Sequence, residues 1–290
     1  MVYLYWLIVI ITGVALVLAY IPTTYQAYES IIVIKDNVFY GIIRGCHKYG
    51  GDALIIAATL RVYRMWFNAE YKNRGEFAFI LSIVILLAGM YSGLTGYLLI
   101  WNQRAYWATK IFATFPTYLD GVPKEAFWFV PNIAQFLTKT GGELTHQGAN
   151  VSQMLLGGTA ISQATMTRFF SLHFAISLIA LVVTELYFYA CRAKRINLSK
   201  GKVLLLIAML VLVAIVLPGE MGSRANPEVT PLPILSDWYF LALYQLLKYM
   251  DPYWATIWTV GIPVGIIAIM FTDFGPEKNP WRRPLFTTSM

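Results

Sequence analysis

Six runs of mostly apolar residues, at 2–20, 39–66, 77–101, 169–191, 203–218 and 254–272, dominate this chain of 290 residues. Crossing the hydrocarbon of a bilayer takes about 20 such residues for about 30 Å, so each run is read as a membrane-spanning helix. Only 13% of the residues are charged, against about 25% in soluble domains. With 58% hydrophobic and 16% aromatic residues, an ordinary cytosolic domain is excluded. The expectation is an all-α integral membrane protein, a four-helix bundle plus two further helices. The first run lacks a basic leader and a small-residue cleavage pattern, and is read as a retained helix.

The balance of 22 Lys and Arg against 15 Asp and Glu gives a net charge of +7. These cations sit in short segments between runs, which reads as topology and not as a nucleic-acid surface. With both termini cytoplasmic, the inner segments hold Arg64, Lys72, Arg74, Arg192, Lys194, Arg195, Lys200, Lys202, Lys278, Arg282 and Arg283. The outer segments then hold Glu29, Asp36, Asp120, Glu125, Glu143, Glu228, Asp237 and Asp251. The stretches 102–168 and 219–252 fall outside and are expected to carry short interfacial helices, for instance over 127–137. Cys46 and Cys191 lie within or at the end of apolar runs, so no disulfide framework is expected.

Two of the three histidines stand inside apolar runs, His47 and His173. Polar side chains in a bilayer are costly and mark sites, and both histidines belong to the outer half of their runs. Two imidazoles at one depth suit the axial positions of a b-type haem iron; the alternative is a pair satisfied by hydrogen bonds between helices. A porphyrin edge needs small residues beside it, and Gly13, Gly96, Gly50 and Gly51 lie at matching depth, although small residues also serve plain helix packing. Arg44 and Arg168 stand toward the outer surface, where propionates want cations and where arginines also anchor interfaces.

The segments Arg44-Gly45-Cys46-His47, Arg168-Phe169-Phe170-Ser171-Leu172-His173, Gly96-Tyr97-Leu98-Leu99-Ile100-Trp101-Asn102-Gln103 and Tyr106-Trp107-Ala108-Thr109-Lys110-Ile111 resemble cytochrome b of the quinol-oxidising Rieske/cytochrome b complexes. Ala225-Asn226-Pro227, Thr230-Pro231-Leu232, Ser236-Asp237-Trp238-Tyr239-Phe240 and Asn279-Pro280-Trp281-Arg282-Arg283-Pro284 resemble the smaller subunit of the branch in which that protein is split. The resemblance implies a four-helix haem-binding half at 1–200 and a shortened small-subunit-like half at 201–290. It implies haem iron ligation by His47 and His173, with Arg44, Arg168, Gly13, Gly96 and Gly51 around the haem. A quinol pocket would be built from Tyr106, Trp107, Lys110, Ile111, Trp238 and Phe240, with Asp237 and Tyr239 as its reactive groups. The partners implied are a Rieske iron–sulfur protein, cytochrome c or other redox subunits, quinol and membrane lipid, in a dimer or larger assembly within an energy-transducing membrane.

The chain departs from that family at the inner haem site. A second ligand pair is expected fourteen or fifteen residues beyond the first, and there stand Arg61, Tyr187 and Phe188. The inner glycine is replaced by Ser82. One outer haem is therefore expected and no inner one. Arg61 lies about 21 Å along the helix from His47 at 1.5 Å per residue, and Glu185 lies at comparable depth. Either the two form a buried ion pair, or Arg61 reaches the inner surface with Arg64. In the motif that reads Pro-Glu-Trp-Tyr in the family, Ser236 and Asp237 replace the first two residues; Asp237 is a proton acceptor or a helix N-cap. Electron transfer from quinol to a single haem is the expected function. The alternative is a structural haem subunit that anchors redox partners without bifurcating electrons. His146 is expected in a solvated outer loop.

Overall fold

The computed structural model describes residues 1–72, 74–118, 120, 147–273 and 275–283. Backbone polar groups inside hydrocarbon must bond within their own segment, and helices stand at all six apolar runs. They are α1 (Val2–Val17), α3 (Val38–Phe67), α4 (Glu76–Leu98), α7 (Gln163–Ala190), α8 (Lys200–Val216) and α10 (Pro252–Thr272). By length and composition α4, α7 and α10 are able to cross a membrane, and α1 is a shorter apolar helix. Shorter helices α2 (Ala27–Asp36), α5 (Gln103–Tyr118), α6 (Gln147–Leu156) and α9 (Leu241–Tyr249) fill the connections. No strand occurs among the described residues, only an isolated bridge between Asn102 and Arg224. The stretch 127–137 and His146 lie outside the described residues.

Local chemistry sets the helix starts. Asn37 accepts from the Tyr40 amide to cap α3, Ser199 accepts from the Lys202 amide to cap α8, and Ser162 with Thr165 forms a reciprocal capping box on α7. Each of these bonds satisfies an amide that the first helical turn leaves without a partner.

The bundle is two helix pairs, α1 against α3 and α4 against α7, joined through α3 and α4. Helix α8 lies on the other side of α3, where a Cβ added to Gly45 would come 2.6 Å from the Ala214 Cβ. The absence of a side chain at 45 is thus what lets the two expected halves, 1–200 and 201–290, meet this closely. At the His47 end, Asn102 donates to the Met221 carbonyl at 2.8 Å and the Gln103 side chain accepts from the Asn226 amide at 2.6 Å. At the opposite end, Asp273 accepts from Arg283 at 2.9 Å and from Lys72 at 3.1 Å, and from Tyr71. Those buried polar ties fix where α10 and the following segment lie against α3 and α4.

Candidate functional site

His47 on α3 and His173 on α7 face each other with ring centroids 6.0 Å apart and planes at 71°. His47 Nδ1 lies 2.9 Å from the Val9 carbonyl oxygen on α1, and His173 Nδ1 lies 2.9 Å from the Ser92 carbonyl oxygen on α4. A carbonyl only accepts, so each Nδ1 carries the proton and each Nε2 keeps its lone pair. Both imidazoles are thereby held in the tautomer a metal ligand needs. Two imidazoles bound to one iron at about 2 Å each would place their ring centroids about 6 Å apart, which the observed separation meets.

The flanking residues repeat on the two sides. Thr12 Oγ1 lies 3.2 Å from His47 Nδ1 and Thr95 Oγ1 lies 3.3 Å from His173 Nδ1, and each threonine precedes a glycine. A Cβ on Gly13 would fall 2.9 Å from the His47 ring, and one on Gly96 would fall 2.7 Å from the His173 ring. These glycines therefore leave room for the imidazoles themselves. The donors present fit a bis-histidine haem. Gly51 meets open space within 4 Å, whereas Gly50 lies in ordinary contact with Ile8 and Leu210.

The two arginines expected near propionates are tied to protein groups. Arg44 is buried and donates to the Gly219 carbonyl at 3.3 Å and to Met221 Sδ at 3.3 Å. Arg168 is exposed and donates to the Met154 carbonyl at the end of α6. Those bonds anchor the connections at the His47 end of the bundle, a role that spacing along one helix does not disclose.

Beyond His173 on the same side, Asp237 opens a short 3-10 turn, Trp238–Phe240. Its carboxylate makes no capping bond; instead it accepts from the Tyr239 hydroxyl at 3.3 Å. Asp237 thus stands at the N-cap position of that turn without a side-chain capping bond. Burial, and then the nearby Asp52 carboxylate, push the Asp237 carboxyl above the usual range, while Lys48, the Tyr239 bond and Arg104 pull it down. Trp238 is 48% exposed and donates from its indole to Asp52 at 2.9 Å. Asp52 also pairs with Lys48 at 3.4 Å.

A crevice joins Asp237, Tyr239 and Phe240 to Tyr97 on α4, Phe112 on α5 and Tyr244 on α9. Its volume is about 10 Å³, room for one water-sized group. Helix α5 contributes Ala108, Phe112 and Phe115 to it, the i, i+4, i+7 stripe of one face. Tyr106, Trp107, Lys110 and Ile111, expected to line it, do not. Tyr106 and Trp107 are buried in a cluster with Leu98, Met166 and Phe169, and the exposed Lys110 places its ammonium 4.5 Å from the Trp107 ring centroid. The motif lay on the right helix, and the helical period turned a different face toward Asp237. Of the lining groups that sequence reasoning missed, Phe112 and Phe115 carried a readable signal, their spacing from Ala108.

Where an inner haem would sit, Arg61 donates from Nε to the Tyr187 hydroxyl at 2.7 Å and from its terminal nitrogen to Glu70 at 3.0 Å. Glu185 accepts from Arg195 at 2.7 Å. The pair considered between Arg61 and Glu185 is therefore replaced by two separate pairs. A protonated guanidinium offers iron no lone pair, so these residues do not fit a second bis-histidine haem.

Two family descriptions match the chain, Cytochrome b/b6/petB over residues 1–141 and Cytochrome b(C-terminal)/b6/petD over residues 224–290. Cytochrome b of Cereibacter sphaeroides is 28% identical over 287 residues, covering 87% of this chain and 58% of that protein. The chain thus spans less than two thirds of that relative's length. Cytochrome b6 of Acaryochloris marina is 30% identical over 188 residues, 64% of this chain and 76% of that protein. A chain of the solved structure titled "Hyperthermophilic respiratory Complex III" superposes with a TM-score of 0.79 at 23% identity, over 99% of this chain and 80% of that one, and has the same fold.

Proposed function

Because this chain belongs to the cytochrome b/b6 family, we propose that it is the membrane cytochrome b of a quinol-oxidising complex. In this reading a single b-type haem lies between His47 and His173, and quinol is oxidised beside Asp237 and Tyr239. The observation that carries it is the pairing of both Nδ1 atoms with backbone carbonyls, at 2.9 Å each, which leaves both Nε2 lone pairs free on rings whose centroids are 6.0 Å apart. Arg61, Tyr187 and Ser82 at the inner place support one haem and not two.

When bound, the haem supplies one-electron redox chemistry. The chain's own residues hold it and handle protons. His47 and His173 would hold it through Nε2, their rings oriented by the Val9 and Ser92 carbonyls. Quinol gives up two electrons and two protons on becoming quinone. One electron would pass to the bound haem and the other to the proposed Rieske partner. One proton would be taken by the ionised Asp237 carboxylate, whose pKa is raised by burial and by Asp52, and the other would be released to the exposed side. The Tyr239 hydroxyl orients that carboxylate, and Phe112 and Phe240 make the crevice walls apolar. The proton then leaves toward the exposed side. A Rieske iron–sulfur protein and cytochrome c or other redox subunits are the proposed partners, and the distribution of Lys and Arg supports cytoplasmic termini.

A second reading has one observation in its favour. The crevice beside Asp237 holds about 10 Å³, so a chain that keeps its haem and only anchors other redox subunits would need no more room than this. Haem content by pyridine haemochromogen, followed by quinol-driven haem reduction in the purified complex, separates the two. One haem per chain that is reduced by quinol supports the proposal. One haem that quinol leaves oxidised favours the anchoring role, and two haems would falsify the single-haem reading.

A further inference from the structure

At the end of the bundle remote from the histidines, α3, α4, α7 and the segment after α7 enclose a cavity of about 310 Å³, within the range of about 300–1,000 Å³ typical of small-molecule sites. Four cations line it, Arg61, Arg64, Lys194 and Arg195. Glu70 pairs with Arg61 at 3.0 Å and Arg64 at 3.5 Å, and Glu185 pairs with Arg195. Neither carboxylate is on the cavity wall. Two acids against four bases leave an excess of two positive charges over the opening. Below the cations, Val2, Ala58, Ile85 and Phe188 make the wall apolar.

A cationic rim above an apolar wall selects an anion that carries a hydrocarbon tail. Guanidinium groups bind phosphate with paired N–H donors, and basic pockets between membrane helices hold anionic lipid headgroups. We infer that this cavity binds the phosphate headgroup of an anionic phospholipid, its acyl chains lying against Ala58, Ile85 and Phe188. The inference rests on the single-haem reading, since an inner haem would take the same space.

The test uses the purified full chain in nanodiscs of phosphatidylcholine doped with phosphatidylglycerol, with retained lipid counted by native mass spectrometry and haem counted on the same sample. One phosphatidylglycerol retained per chain in preference to phosphatidylcholine is the expected result. Each basic residue near an anionic headgroup is worth about fivefold in binding, so Arg64→Gln with Lys194→Gln is expected to weaken retention about 25-fold. The remote pair Lys35→Gln with Lys248→Gln removes the same charge and is expected to leave retention unchanged. Equal retention of the two lipids, an equal fall in both double variants, or displacement by millimolar inorganic phosphate overturns the inference, the last by showing that no tail is needed. One haem without lipid preference sinks this inference alone; two haems sink the single-haem reading with it.

Discussion

Arg61 donates to the Tyr187 hydroxyl at 2.7 Å, across the same two helices that present His47 to His173 with ring centroids 6.0 Å apart. One helix pair thus carries two unlike pairings at two depths. The first offers a pair of lone pairs to a metal. The second is a cation bonded to a phenol, a guanidinium that offers a metal no lone pair, with a basic cavity beside it.

Substituting valine at Gly96 tests the cradle. A side chain there would begin 2.7 Å from the His173 ring, and the imidazole cannot yield without breaking its bond to Ser92. The expected outcome is haem content below about one tenth of wild type for Gly96→Val, with Gly13→Val close behind. Helical content by circular dichroism stays near normal, because both positions are ordinary helix interior and the cost falls on the imidazole.

Removing Arg61 takes one partner from a carboxylate and one from a hydroxyl. Arg61→Ala takes a donor from Tyr187 and one of two partners from Glu70. The side chain is 31% exposed, so solvent offsets part of the loss, and about 1–2 kcal/mol of stability is expected to go. A fall in Tm of the purified chain without a change in haem per chain is the readout, and an unchanged Tm contradicts the pairing.

On the proposed function, the acid limb of quinol oxidation should report Asp237. Its carboxyl is raised by burial first and by the Asp52 charge second, and only its ionised form accepts a proton. Activity is therefore expected to rise as pH climbs through that raised value. Asp52→Asn removes a like charge, lowers the Asp237 pKa and moves the limb to lower pH. Lys48→Gln removes an opposite charge and moves it the other way. Asp237→Asn abolishes the limb, with a loss of about 10²–10⁴-fold in rate, the size of a general base contribution. A limb at the same pH in all the Asp52 and Lys48 variants would count against Asp237 as acceptor.

The cluster at Asp273 sets stability at the end of the bundle remote from the histidines. Asp273 and Arg283 are 5% and 2% exposed as side chains, and removing one member of a buried pair costs about 3–5 kcal/mol. Arg283→Ala is expected to show that loss in thermal unfolding and to raise proteolysis near α10. Burial pushes the Asp273 carboxyl up, but bonds from Tyr71, Lys72 and Arg283 outweigh it and the net shift is downward. Its contribution is therefore complete above the ordinary carboxylate pKa and fades as pH falls toward the lowered value. Thermal stability of wild type that holds down to mildly acidic pH and drops only below about 4 is the expected profile.

Much of the histidine site was legible because helices translate sequence spacing into depth. His47, His173, Gly13 and Gly96 follow from position along four runs, and a rise of about 1.5 Å per residue carries that reasoning. The matching Thr12 and Thr95 were present as repeated Thr-Gly pairs and signalled nothing by themselves, since a hydroxyl in a helix ordinarily bonds its own preceding turn, as Thr12 does with Ile8. Only the approach of another helix gave them imidazoles to face.

What the sequence alone determined was element type and depth, which apolar length, charge and helical rise dictate one helix at a time. What the tertiary structure decided was azimuth and return. Helix α5 turns Ala108, Phe112 and Phe115 toward Asp237 and sends Tyr106 and Trp107 into the core, a rotation that depends on neighbours no motif encodes. After α3 the backbone enters the left-handed region at Ala69, with φ 48°, and returns Glu70 to Arg61. Glu185, placed by depth alone as a partner for Arg61, goes to Arg195 instead. Depth is a property of one helix and its rise, whereas the partner of a charged side chain is chosen by which groups packing brings within about 3 Å.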